Sequence, residues 1–207
     1  MFAKSLALAG AAGTVALGWR AHRLHARLHT DELTGLANRA ALNRAFARTQ
    51  RRAAAGELVG LLMCDVDRFK QINDTHGHRT GDHVLRSIAT DLSRLTTGTD
   101  ELAVRLSGDE FVVLLPDLAD VRDAEGRARH YRDALACNRV IDGQRMQLTV
   151  SVGAAVDTAT TTTLSALAGH ADARMYELKR HTHLTSLPTT SATCPTTRRR
   201  DLPKEAA

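Results

Sequence analysis

Four polar residues, Ser107-Gly108-Asp109-Glu110, join two strand candidates at 102–106 and 110–115. A connection this short, with glycine inside it, allows only a tight reversal between antiparallel strands. The chain is therefore committed to an antiparallel sheet. Two carboxylates, Asp109 and Glu110, are carried at the tip of one of its hairpins.

The flanking segments fill in the rest of the domain. Residues 58–66 form a continuous apolar run ending in acids, which suits a buried strand. Residues 38–54 hold strong helix formers, and 67–75 read as a short helix closed by Gly77. Over 80–95, Val84, Leu85, Ile88, Leu92 and Leu95 recur at helical spacing, with Thr80 or Asp82 available to cap the start. A polar helix is expected over 119–137, one strand over 146–156 and a last amphipathic helix over 164–180. Strands interleaved with helices around a hairpin predict an α/β fold, a mostly antiparallel central sheet flanked by helices. Hydrophobic residues make up 43% of the 207 and charged residues 25%, enough apolar material for one domain with a proper core.

Two acidic groups then fall at strand ends. Asp65-Val66-Asp67 closes the apolar run, and Asp109-Glu110 sits on the hairpin. If those strands are neighbours, the carboxylates converge. Convergent hard oxygen ligands suit Mg²⁺, which takes one or two carboxylates and completes its shell with water and phosphate oxygens. A pair of such ions activates a hydroxyl and stabilises a leaving pyrophosphate. Taken singly, an acid at a strand end is more simply a solvated charge.

The surrounding residues change that balance. Asp65-Val66-Asp67-Arg68-Phe69-Lys70-Gln71-Ile72-Asn73-Asp74, then Gly77-His78 and Gly81-Asp82, resemble the long motif of the GGDEF family of diguanylate cyclases. So do Asp31-Glu32-Leu33-Thr34-Gly35-Leu36-Ala37-Asn38-Arg39 upstream, and Val150-Ser151-Val152-Gly153 and Ala171-Asp172-Ala173-Arg174-Met175-Tyr176 downstream. The hairpin itself is a Ser-Gly-Asp-Glu-Phe variant of the signature. These ordered motifs span about 31–180.

The resemblance implies a nucleotidyl-cyclase or polymerase-palm-like fold with a ferredoxin-like core. It implies a homodimer that condenses two GTP into cyclic di-GMP, with Mg²⁺ or Mn²⁺ as cofactor, two ions per site. Asp65 and Asp109 would be the side-chain metal ligands and the Val66 carbonyl a backbone ligand. Glu110 would lie near the attacking 3′-hydroxyl as its base. Asn73 and Asp82 would read guanine, because a carboxylate accepts from the N1–H and N2–H pair that adenine lacks. Lys70, Arg105 and Lys179 would neutralise phosphate charge, and Gly108 would let backbone approach phosphate without a Cβ in the way. His78 reads as structural.

Three positions depart from the family pattern. Ser107 stands where glycine is usual; a required positive φ there would strain the turn. The family's product-inhibition pair, R-x-x-D, is matched here by Gly98 and Glu101, so feedback at that position is not expected. The last helix keeps Lys179 but ends Arg180-His181-Thr182-His183, with His183 in place of an arginine that contacts phosphate. These departures leave an alternative open: a non-catalytic GTP-binding or protein-interaction module of the same family. A related nucleotidyl cyclase with another product is a third reading.

The ends are of a different character from 31–183. Residues 5–19 are free of charge and mostly apolar, and Arg20, Arg23 and Arg27 follow them, so 1–30 reads as an apolar helix, a candidate membrane anchor, and a basic linker. A signal peptide and a surface helix are its rivals. Residues 184–207, rich in Thr, Pro and Arg, read as a disordered tail. The catalytic domain is expected in the cytoplasm. The formal charge of +5 comes largely from these ends, and aromatics are only 3%, so a nucleic-acid stacking surface is not expected. Cys64, Cys137 and Cys194 share no metal-type spacing, and their odd number argues for a reducing compartment.

Overall fold

The computed structural model describes residues 28–184. The apolar run at 5–19, the basic segment after it and the tail from 185 lie outside the described residues. Helix α1 spans Arg39–Arg52, and its cap is Asn38, whose side chain accepts from the amides of Ala40 and Ala41 at 3.0 and 3.1 Å. Strand β1 is Leu58–Val66. Helices α2 (Phe69–His76) and α3 (His78–Thr96) follow, then strands β2 (Leu102–Ser107) and β3 (Glu110–Leu118). Helix α4 (Val121–Leu135), strands β4 (Cys137–Ile141), β5 (Gln144–Leu148) and β6 (Val150–Thr158), and helix α5 (Leu164–Leu184) complete the order.

The main sheet runs β2-β3-β1-β6 with every neighbouring pair antiparallel. Its two faces carry separate cores. Leu62, Cys64 and Val66 of β1, with Phe111, Val113 and Leu115 of β3, pack on α3 and α4 through Val84, Ile88, Leu92, Tyr131 and Leu135. Val59, Leu61 and Met63, with Val112 and Leu114, pack on α1 and α5 through Leu42, Phe46, Leu167, Ala171 and Met175. Alternate β1 side chains thus enter opposite cores, which is why its sequence is apolar throughout rather than every second residue. Burial pushes the Cys64 thiol up to about 12, so it serves as a core residue.

The structure corrects the sequence reading in three places. The strand expected over 146–156 is two strands, broken at Thr149, whose carbonyl accepts from the Asp67 amide at 3.0 Å. That long-range bond takes the chain out of the small β4–β5 hairpin and into the main sheet. Strand β4 lies partly within the helix expected over 119–137 and was not anticipated. It is joined to β5 by Asp142 (φ 51°) and Gly143 (φ 79°), two left-handed residues that suit a two-residue hairpin turn. Finally, α3 begins at His78, and neither Thr80 nor Asp82 caps it. Gly77, at φ 84°, both ends α2 and begins α3. The Thr80 hydroxyl instead donates to Asp142 Oδ2 at 3.0 Å and fastens the small hairpin to α3.

Candidate active site at the β1 and hairpin ends

The β1–β3 register sets Asp65 opposite Glu110, and β2–β3 pairing sets Ser107 opposite Glu110 on the other side. The turn between Ser107 and Glu110 is only Gly108 and Asp109. Gly108 is left-handed at φ 49°, which suits glycine, and the Val66 amide donates to the Asp109 carbonyl at 3.3 Å. The structure therefore gathers Asp65, Val66, Asp109 and Glu110 at one end of the sheet, from segments more than forty residues apart in the chain.

Ser107 stays within β2 and is not among the residues with positive φ, which outside glycine are Arg68 and Asp142 among the described residues. The strain that a serine would suffer in a left-handed turn is absent. Its hydroxyl donates to Glu110 Oε2 at 3.1 Å.

Asp65 is half-buried, and Lys179 of α5 donates to its Oδ1 at 2.5 Å. Burial raises the Asp65 pKa; Lys179 opposes this, and the neighbouring Asp109 and Asp67 carboxylates push it up further. An acid cluster under this strain is a site that gains from a cation. Asp67 is oriented by Ser151, whose hydroxyl donates to its Oδ1 at 2.7 Å.

Among the described residues, no three His, Cys, Asp or Glu side chains form a ready metal cage. The donor set fits a different kind of site: two carboxylates on adjacent strand ends, one already partnered by an ammonium. Such a set fits a hard divalent cation such as Mg²⁺, which takes one or two carboxylates from a protein and fills the rest of its shell from elsewhere.

Arg105, expected to neutralise phosphate charge, is engaged within the protein. Its guanidinium donates to Asp31 Oδ1 at 2.9 Å and, through two nitrogens, to the Gly108 carbonyl at 3.1 and 2.8 Å. Only 11% of the side chain is exposed. Three of its five N–H donors are used inside the protein, where they fix the hairpin turn. Burial tends to raise the Asp31 pKa, but hydrogen bonds from Thr34 and Arg105 outweigh it and hold the carboxylate below its ordinary range. Asp31 was visible in the upstream motif, but nothing local in the sequence identified Arg105 as its partner.

Asn73 lies on α2 and Asp82 on α3, either side of Gly77. Asn73 packs on Gly81: a Cβ there would sit 1.9 Å from Asn73 Oδ1. That oxygen is buried with no hydrogen-bond partner in the protein, a rarity that needs a reason. Asp82 follows Gly81 directly and is half-buried. Lys70 on α2 and His78 at the start of α3 are exposed. Glu101, at the second position of the R-x-x-D comparison, is buried and holds Arg127 and Tyr131 of α4. His183 lies beyond the residues whose side chains are described.

Residues 28–183 match the family described as "Diguanylate cyclase, GGDEF domain". Similar curated proteins include the response regulator PleD of Caulobacter vibrioides, 36% identical over 153 residues, which are 72% of this chain and 34% of that protein. Another is diguanylate cyclase TpbB of Pseudomonas aeruginosa, 39% identical over 154 residues, 73% of this chain and 35% of that protein. The chain thus spans about a third of the length of these relatives. Among solved structures, a sensory box/GGDEF family protein of Caulobacter crescentus aligns with a TM-score of 0.67 at 34% identity, covering 74% of this chain and 99% of that one. The coiled coil and GGDEF domain of DgcB from Caulobacter crescentus, in complex with c-di-GMP, aligns with a TM-score of 0.73 at 28% identity, covering 87% and 96%.

Proposed function

Since the chain belongs to the GGDEF family, we propose that it is a diguanylate cyclase, condensing two GTP into cyclic di-GMP with release of two pyrophosphates. In each half-reaction a 3′-oxygen bonds to the α-phosphorus of the other GTP, the bond from that phosphorus to the pyrophosphate oxygen breaks, and the hydroxyl proton leaves. The observation that carries the reading is the juxtaposition of Asp65 and Glu110 across β1 and β3, with Asp109 at the tip.

Asp65, Asp109 and the Val66 carbonyl would hold Mg²⁺ or Mn²⁺, two ions at the family's stoichiometry. When bound, the metal supplies Lewis-acid polarisation of the α-phosphate and a lowered pKa for the attacking hydroxyl. The Glu110 carboxylate accepts the 3′-hydroxyl proton. Lys179, which neutralises Asp65 in the free protein, turns to the triphosphate on binding, and Lys70 meets its outer charge. Gly108 gives the phosphates room at the turn. Arg105 and Asp31 keep the turn in register, which makes them positioning residues.

Asp82 accepts from guanine N1–H and N2–H, and the Asn73 amide complements the rest of the edge. The Asn73 oxygen, buried on Gly81 without a partner in the protein, supports a role for that side chain beyond holding the fold, once it turns outward to a ligand. Each half-site holds one GTP, so two copies must face each other, and the active form is a homodimer. Residues 5–19 would tether this domain to the inner or plasma membrane with the site in the cytoplasm; among the described residues no helix is long and apolar enough to cross a membrane.

One observation favours a second reading. The Ser107 hydroxyl engages Glu110, the proposed base, and could hold the chain as a GTP-binding module without turnover. The test is the full-length protein with GTP and Mg²⁺, products read by mass. Formation of cyclic di-GMP that Asp109→Ala and Glu110→Gln abolish, with GTP binding retained in Glu110→Gln, is the expected result. GTP binding without product in the parent protein selects the second reading.

A further inference from the structure

Helix α1 contains Arg39, Arg44, Arg48, Arg51 and Arg52 and no acidic residue. Arg44, Arg48 and Arg51 recur at i, i+4 and i+7, so they lie along one face, and all three are exposed. Like charges at this spacing repel one another. Other arginines on helices of the domain do have acids beside them, as Arg127 has Asp123 and Arg94 has Asp91. Among the described residues, no carboxylate pairs with Arg44, Arg48 or Arg51. Arg44 Nη1 lies instead 2.8 Å from His29 Nε2. The fold uses the opposite face of α1 for its core, through Leu42, Ala45 and Phe46. Among the described residues no contact accounts for a stripe of repelling cations on the outer face.

The stripe borders a shallow groove of about 450 Å³, lined by His29, Ala41, Ala47 and Leu102 beside the three arginines. Its position supplies the second half of the argument. Leu102 begins β2, whose other end is Ser107 and the catalytic turn, so groove and turn lie at opposite ends of one strand. A surface resting on the groove leaves the carboxylates accessible. His29, which lines the groove, is the second described residue of the chain, so the segment before it in sequence is joined to the fold beside the groove. That segment carries Arg20, Arg23 and Arg27 directly after the charge-free run at 5–19. In the sequence, then, a charge-free run, a basic run and the arginine-bearing helix follow one another.

We propose that the Arg44–Arg48–Arg51 face of α1 is a docking surface for an anionic lipid bilayer. The guanidinium groups meet lipid phosphates, and the domain is held with the β1 and hairpin ends directed away from the headgroups. Guanidinium forks suit phosphate oxygens, and basic residues beside a bilayer gain affinity from its negative surface potential. The proposal concerns orientation on the membrane. It stands whether or not residues 5–19 cross it and whether or not the domain turns over GTP.

The test is co-sedimentation of the full-length protein with phosphatidylcholine vesicles, with and without phosphatidylglycerol, at low and high salt. Binding to the anionic vesicles is expected to exceed binding to the neutral ones and to weaken in salt. The variant Arg44→Gln/Arg48→Gln/Arg51→Gln should lose about fivefold in vesicle affinity per arginine at low salt. Its thermal melt should match the parent, since the three side chains are exposed. A variant with the same loss of charge elsewhere on the surface, Arg122→Gln/Arg145→Gln/Arg174→Gln, should retain most of the affinity. Equal binding to both vesicle types, or equal losses in the two triple variants, overturns the proposal. Release from the vesicles by inorganic phosphate at fixed ionic strength also overturns it and reassigns the groove to a small anion.

Discussion

Gly153 is the place where one methyl group should do the most damage. It lies on β6 beneath α5, and a Cβ built there would stand 2.3 Å from the Ala171 carbonyl oxygen, 2.3 Å from the Met175 amide and 2.7 Å from the Met175 Cα. All three are helix backbone, so no rotamer change relieves the clash. Ordinary carbon contacts sit at about 3.5 Å, so Gly153→Ala would drive α5 off the sheet by roughly 1 Å. A gap of that size forfeits about a quarter to a half of each affected dispersion contact, here those of Leu167, Ala171 and Met175 with the core. Overpacking costs about 1–3 kcal/mol when side chains can adjust; with backbone on the far side, about 3 kcal/mol is expected. In a domain of this size each kcal/mol moves Tm by about 2–4 °C, so the melt should fall by about 6–12 °C. The assay is a circular-dichroism melt of the full-length protein beside Gly169→Ala. Gly169 is on the same helix with nothing within 4 Å of a Cβ, and alanine there should stabilise by up to about 1 kcal/mol. A Gly153→Ala melt within about 2 °C of the parent, below the shift a 1 kcal/mol change gives, would refute the close-approach argument. So would an equal fall in Gly169→Ala.

Three further outcomes follow from the site. Gly81→Ala places its methyl against the movable Asn73 side chain rather than backbone, so the fold should survive while GTP affinity drops severalfold, read by calorimetric titration. Ser107→Gly removes the hydroxyl from Glu110 at a strand position that serine already fits, so the melt should fall by no more than about 2–4 °C, the effect of about 1 kcal/mol, and cyclic di-GMP formation should be equal or faster; a large loss of activity would show that the hydroxyl is required. Asp31→Asn tests the pH linkage of the hairpin clamp. The folded Asp31 pKa lies below its unfolded value, so its stabilisation is present above about pH 4 and is lost as pH falls through the folded value. The stability gap between parent and Asp31→Asn, measured by urea unfolding, should be widest near neutrality and close in acid.

Most of the architecture was written locally. The strand bounds at 58–66 agree to the residue, and the Ser107–Glu110 connection is a hairpin as its length requires. Apolar periodicity and a glycine turn act over a few residues, and the neighbouring backbone can obey them before anything else folds. The errors came where a distant partner overrode a local pattern. The alternation across 146–156 runs unbroken through Thr149, and only the Asp67 amide, which claims its carbonyl, divides it. Asp142-Gly143 was a readable turn signal, but the strand before it is short and follows a helix without a break.

The candidate site divides along the same line. The sequence by itself determined which chemical groups are present: Asp65 at the end of a buried strand, Asp109 and Glu110 on a reversal, and a left-handed glycine to make that reversal. Tertiary structure decided what each group faces. It set Asp65 against Glu110 and Lys179, turned Asp67 toward Ser151, and spent Arg105 on Asp31 and the Gly108 carbonyl. It also gave Gly81 and Gly153 their meaning, since a missing Cβ matters only when another segment fills the space. Residue types fix the available donors, acceptors and charges, but a hydrogen bond or ion pair exists only at contact distance, and contact between segments far apart in the chain is made by the packing of the sheet and its helices.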